Sequence, residues 1–440
     1  MTPAMSKARF AHLLALALLF QLSASLNAGL VLSKSSYTDY QAAVIGKASK
    51  LVEEQKLVEA RKLLGDLRSE RKDLLEPEIV LFEMLVNQGQ LPKAKKLLDG
   101  YSAVASPGFG IFYAYAKLAE LEARWFDAFM HANLALNNPM PEDWSDDYRK
   151  QMILEAQIVI LRSGIAREAW SQAQEVLDNF ELNKDTESRV LELSARLAFE
   201  QDKIDEARER FSWLRQQDEG RPPAELELAR LQSANKQSEQ ADKNYQAAIR
   251  SLSGKQQTLA VIEYSNHLLT VGRATDASRL LKRAAENTSD SDQTRALEFG
   301  QAKALRMSGK FENAITKLES LLHQDQESFA IRNQLALCLA HLNARQSTDY
   351  GLRLAKMNIE KNPQQLEGWS TLGFLQVLSG QLDEAKDSLT RATANGVISR
   401  DTAYFIHRLH VASGDKTSAD KFLQAAKDGD GPFYFESQLN

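Results

Sequence analysis

The sequence predicts an all-α chain of about eleven antiparallel helix pairs, spanning roughly residues 41–428. Three rows of residues carry that prediction. A small residue recurs where the second helix of each pair must approach the first: Ala60, Ala94, Ala128, Ala207, Ala241, Ala277, Ala314, Gly351, Ala385 and Ala419. Successive spacings are 34, 34, 79, 34, 36, 37, 37, 34 and 34. Five positions earlier stands a glycine in several units (Gly89, Gly272, Gly309, Gly380, Gly414), where a tight turn between helices needs positive φ. Four positions after the small residue comes a larger apolar group such as Leu64, Leu98, Phe211, Tyr245, Leu281, Leu318, Leu389 or Leu423. Spacings of this kind put the rows on one helical stripe.

Taken in order, the chain opens with Lys7 and Arg9, the apolar run Phe10–Leu22, and small residues at Ser23–Ser25 and Ala28. That layout reads as a secretory signal peptide over residues 1–32. Apolar character resumes at Leu30–Leu32, so the 23 residues from Phe10 to Leu32 are also long enough for an uncleaved N-terminal membrane anchor. A mitochondrial-type leader is the third alternative. Either main reading places the body of the protein outside the cytoplasm: periplasmic, secreted or membrane-anchored. Residues 33–40 read as a polar spacer.

In the array, the spacing of 79 leaves room for one degenerate pair, placed over Tyr148–Phe180. The proline- and acid-rich stretch Asn137–Asp147 before it reads as a surface loop that covers this pair. The clearest pair is Gly368–Ala392: Trp369, Leu372 and Gly373 on one helix face, a break at Gly380, then Leu382, Ala385, Leu389 and Ala392. Residues 429–440 leave the repeat. Phe433, Tyr434 and Phe435 are too apolar for a free tail and are expected to cap the open end of the last pair.

The pair at Gly368–Ala392, preceded by Pro363, resembles the tetratricopeptide repeat, a helix–turn–helix unit of about 34 residues that stacks into solenoids. The in-phase rows extend that resemblance over nearly the whole array. It implies a right-handed superhelical solenoid whose first helices line a concave groove, and a non-catalytic adaptor that binds a partner protein there. The match is divergent. A bulky first-helix aromatic is present at Trp369 and Phe112, but other units use Val44, Leu191, Val261 or Leu335. The family's Lys/Asn/Arg clamp for C-terminal carboxylates is not found, which disfavours a chaperone-tail receptor.

Composition narrows the function classes. With 54 Lys+Arg against 59 Asp+Glu the net charge is −5, so no non-specific attraction to nucleic acid is expected. The single cysteine, Cys338, forbids an internal disulfide framework and sits in an apolar run that reads as core. No phosphate-cradling glycine loop, nucleophile elbow or HExxH motif is present, so no catalytic residue and no cofactor are assigned. His407 and His410 lie three apart and could share a metal, but they also fall on the packing stripe of the last pair, which is the favoured reading.

The candidate binding residues lie eleven positions before the small row, in the first helices. They read Ser49, Glu83, Lys117, Gln157, Arg196, Arg230, Asn266, Lys303, Ala340, Phe374 and Arg408. Lys117, Arg196, Arg230, Asn266 and Lys303, extended by Arg306, would give a basic strip suited to an extended acidic segment of a partner. Glu192 and Glu227 lie within a helical turn of Arg196 and Arg230 and could neutralise half of it. The alternative is a carbohydrate- or small-ligand-binding solenoid, with Phe112, Tyr113, Tyr115 and Phe374 as stacking surface.

Overall fold

A computed structural model describes residues 39–71, 74–342 and 344–436. These form 22 α-helices and no strand, arranged as eleven consecutive pairs. The leader or anchor expected at 1–32, nearly all of the spacer, and the last four residues of the tail lie outside the described residues. No helix among those described is long and apolar enough to cross a membrane.

The chain divides into two compact units, residues 1–224 and 225–440. The described part of unit 1 contains five pairs. They are α1 (Asp39–Glu53) with α2 (Leu57–Glu70), α3 (Pro77–Asn87) with α4 (Leu91–Ser102), α5 (Phe109–Leu121) with α6 (Trp125–Leu136), α7 (Asp146–Ala166) with α8 (Trp170–Leu177), and α9 (Ser188–Glu200) with α10 (Ile204–Gln217). Unit 2 contains six. They are α11 (Ala224–Ala234) with α12 (Ser238–Ser251), α13 (Gly254–Thr270) with α14 (Ala274–Glu286), α15 (Ser291–Met307) with α16 (Phe311–Gln324), α17 (Phe329–His341) with α18 (Arg345–Lys361), α19 (Leu366–Leu378) with α20 (Leu382–Ala392), and α21 (Arg400–Ala412) with α22 (Lys416–Asp428).

In unit 1 the small residues Ala60, Ala94, Ala128 and Ala207 are fully buried. The degenerate pair has its own member of the row, Ala173, also fully buried, which the sequence reading passed over. Gly164 faces it so closely that a Cβ there would lie 3.0 Å from the Ala173 Cβ and 3.3 Å from its backbone nitrogen. The long spacing thus resolves into 45 and 34, the excess coming mostly from the long helix α7 and partly from the loop between α6 and α7. That loop is more than a cover. Trp144 is 3% exposed and meets Phe109 (5.8 Å) and Tyr148 (4.8 Å) edge-on. Arg149 donates to the carbonyls of Pro141 (3.1 Å) and Glu142 (2.8 Å), which pins the loop to the start of α7.

The turn geometry is more uniform than the sequence. Gly89, Gly272, Gly309, Gly380 and Gly414 have φ between 71° and 77°, as the spacing predicts. The same position in five other turns is held by Gln55, Ala123, Glu168, Asp202 and Lys236, with φ from 54° to 62°. Glu168 is the turn residue of the degenerate pair. A non-glycine residue in the left-handed region costs about 1–2 kcal/mol. Replacing Ala123 or Lys236 by Gly should therefore stabilise its pair by about 1 kcal/mol, and Gly380→Ala should cost about as much, both measurable by urea unfolding.

In unit 2, Ala241, Ala277, Ala314 and Ala385 are fully buried and Gly351 takes the same place. The α19–α20 contact is the tightest of the set: a Cβ on Gly373 would fall 2.7 Å from Leu389 Cγ and 3.3 Å from the Ala385 carbonyl. Cys338, on α17, is fully buried, and burial pushes its thiol up to about 11.

Candidate functional site

Most first helices present a polar residue at the row position on the face predicted to bind, Ala340 and Phe374 being apolar core, and the structure shows what the polar ones meet. In unit 1 the Lys117 Nζ lies 2.8 Å from Glu120, and Arg162 reaches the same carboxylate from α7 at 3.2 Å. Burial pushes the Glu120 carboxyl up, but Lys117 and Arg162 outweigh it and hold it below the usual range. Arg162 stands eleven residues before Ala173, so it, and not Gln157, is the row member of the degenerate pair. On α9, Arg196 donates to Glu192 at 3.0 Å, and Arg221 approaches that same carboxylate at 3.5 Å.

In unit 2, Arg230 is bidentate to Glu263 on α13 (2.7 and 2.8 Å) and donates a third bond to Glu227 at 3.1 Å. Lys303 donates to Asn266 at 3.4 Å. Burial lowers the pKa of Lys303, opposed by the nearby Glu367. The predicted basic strip is therefore corrected: Lys117, Arg162, Arg196 and Arg230 each face a carboxylate, two of them on a neighbouring first helix. Arg306 departs furthest from expectation. At 1% exposure it is buried, not a groove cation.

What buries Arg306 is the C-terminal segment. Gly429–Glu436 does not simply close the end of the last pair, as the sequence reading expects; it turns onto the first-helix face and touches α21, α19, α17 and α15. Phe435, fully buried, stacks on His341 (4.1 Å) and meets Phe374 (5.1 Å), Phe405 (5.0 Å) and Tyr404 (5.5 Å). Phe433, 1% exposed, lies against Tyr404 (6.0 Å) with the Arg400 guanidinium 4.8 Å above its ring. Tyr434, between them, receives the Arg306 guanidinium over its ring at 4.4 Å.

Two charged groups organise this slot. The Tyr434 amide donates to Asp401 Oδ1 at 3.0 Å, and Arg306 donates to Asp401 Oδ2 at 3.1 Å, to Gln334 at 2.6 Å and to the His341 ring at 3.4 Å. Burial raises Asp401 to about 6 against the pull of Arg306 and the Tyr434 amide. Burial, reinforced by the Arg306 charge, drives His341 down to about 2. Arg400 fastens the start of the segment by donating to the carbonyls of Ala426, Lys427 and Gly431.

The other sequence candidates resolve into packing. His407 bonds the Ala419 carbonyl (2.9 Å), whereas His410 pairs with Asp415 (3.3 Å) and stacks on Phe422. They share no ligand position, and no group of three or more metal-ligating side chains occurs among the described residues. Of the aromatics offered as stacking surface, Tyr113 and Phe374 are each 1% exposed, and Phe112 and Tyr115 stack on His131. One constellation escaped the sequence reading because its members come from three helices. Ser233 bonds His267 Nδ1 (2.6 Å), and Asp242 lies 3.5 Å from Nε2. His267 is 4% exposed, flanked by the rings of Tyr245 and Tyr264, and Asp242 is also paired to Arg273, so this set holds two helix pairs together.

No protein-family model and no curated protein matches the chain. Solved structures with a similar fold include a thermophilic TPR protein of Thermus thermophilus, at 19% identity and TM-score 0.34, covering 39% of this chain and 91% of that one. A tetratricopeptide repeat protein from Parabacteroides merdae is 11% identical with TM-score 0.42, covering 57% and 95%. MamA from Desulfovibrio magneticus is 15% identical with TM-score 0.30, covering 40% and 96%. These likenesses concern fold type alone. By its own helix pairing, small-residue row and turn geometry, the chain is an all-α array of consecutive antiparallel helix pairs, similar in unit architecture to the tetratricopeptide repeat.

Proposed function

We propose that the chain is a non-catalytic scaffold that binds an extended segment of a partner protein along the first-helix face of its repeats. The observation that carries this reading is the C-terminal segment itself: unit 2 already holds a stretch of polypeptide from outside its helix pairs, folded as a turn at Tyr434–Phe435, against the first helices of four pairs. Its carboxylate, guanidinium and aromatic groups recognise both main chain and side chains there. An acidic partner is not favoured, because the cations of the row face carboxylates of the fold. The carbohydrate reading loses Tyr113 and Phe374 as stacking surface, since both are core. The body of the protein is proposed to be exported or tethered through residues 1–32; intact mass of the protein from its native envelope distinguishes cleavage from retention.

The scaffold reading is tested with a photo-reactive amino acid placed at Asn266, an exposed member of the first-helix row, and in parallel at Lys282, exposed on second helix α14. Cross-links to a discrete protein from position 266 and not from 282 are expected. Capture only from position 282, or none from 266, would overturn the assignment of the face.

A further inference from the structure

The slot that receives Phe433–Phe435 has more recognition chemistry than end-capping requires. An end cap has only to cover apolar surface, which aliphatic side chains accomplish without charges. Here the segment covers a buried Arg306–Asp401 pair, and such a pair is a weak stability device compared with apolar packing, because both ions must be desolvated. What the pair supplies is selectivity. Asp401 accepts one main-chain amide, so it fixes the position of a bound segment along the slot. Arg306 lies over the Tyr434 ring and also over that of Phe435, while Phe433 and Phe435, two residues apart, both pack on Tyr404, Phe435 reaching on to His341. The segment is held as a turn at Tyr434–Phe435, with one main-chain amide fixed and its aromatic side chains enclosed by the first helices.

The segment is also built to leave. It follows the last helix through Asp428-Gly429-Asp430-Gly431-Pro432, with Gly431 at φ 91°, and no helical hydrogen-bond ladder binds it to α22 beyond the Gly429 amide.

We propose that this slot is the partner site of unit 2, that its partner is a turn-forming peptide segment with aromatic side chains two residues apart, and that the chain's own tail occupies it until such a segment displaces it. The inference rests on the scaffold reading and names its ligand class and its control.

The test uses the full chain carrying Phe433→Ser and Phe435→Ser, and a fluorescent synthetic peptide of the Gly429–Glu436 sequence. The peptide is expected to bind the variant saturably, and the unaltered chain at least about tenfold more weakly, as competition by a tethered segment requires. Adding Asp401→Asn to the variant, or replacing both phenylalanines of the peptide by Ser, is expected to abolish binding. A folded variant that ignores the peptide, or equal binding by variant and unaltered chain, would overturn the proposal. So would collapse of the variant's helical fold, since the tail would then be an integral part of the core. Hydrogen exchange on the unaltered chain gives an independent reading: residues 431–436 should exchange faster than the α21 amides, and equal protection would sink the displacement idea. Cross-linking from Asn266 without peptide binding here leaves the scaffold intact and moves its partner site elsewhere. Absence of cross-linking removes the scaffold reading whatever the tail does.

Discussion

Ala385→Arg is expected to lower the stability of the α19–α22 region by at least about 3 kcal/mol, because it adds overpacking to an unpaired buried charge. Ala385 is fully buried, and its carbonyl lies 3.3 Å from where a Cβ on Gly373 would sit. Leu389 is already in near-contact with Gly373, so the two helices have no slack to yield. A guanidinium there can neither pack nor reach water without separating α19 from α20. In a repeat array each pair is stabilised by its neighbours, so the loss spreads first to the pairs on either side. Urea unfolding followed by helical circular dichroism measures it, with Ala385→Ser as a size-matched control that should lose less than half as much. Melting unchanged from the native chain would refute the packing register.

The second large effect is a response to acid centred on His341. Its pKa in the folded chain is depressed to about 2, while an unfolded histidine titrates near the ordinary 6.5. The unfolded chain then binds a proton that the folded chain refuses, so stability is complete above about pH 6.5 and is lost as pH falls. From about pH 7 to about pH 5 this one group removes about 2 kcal/mol. Asp401 works the other way. Its folded pKa is raised to about 6, so the folded chain takes up a proton that an unfolded Asp does not, and stability is gained as pH falls through 6. The native chain should lose less than the histidine alone would cost. In His341→Phe, which keeps a ring between Phe311 and Phe435, the change in unfolding free energy between the two pH values should shift by about 2 kcal/mol towards acid stability. An unshifted pH dependence would show that His341 is not held neutral by the fold.

The repeat was legible because its constraints fall on single residues. A close helix contact admits only a small side chain, and a left-handed turn favours glycine, so both leave marks at fixed positions. The degenerate pair was placed correctly, but Ala173 went unrecognised, since its turn carries Glu168 in place of glycine and the longer α7, with the Trp144 loop, shifts its phase. The charged row was misread for a different reason. Local spacing revealed Glu192 beside Arg196 and Glu227 beside Arg230, and both contacts are present. It could not reveal Glu120 beneath Arg162 or Glu263 beneath Arg230, which arrive from neighbouring first helices. The tail shows the same limit: three aromatics announce that something must be covered, whereas only the fold tells what.

Cys338 gives the chain a property that no other residue type could. It is the single thiol in 440 residues, and it lies in unit 2, fully buried on α17. Its raised pKa keeps it protonated at neutral pH, so even a reagent that reached it would find little thiolate. Modification of the native protein by a thiol reagent therefore counts transient openings of that one region, and every other part of the chain is silent. The molecule carries its own clock for local unfolding, readable by mass alone and without an added label.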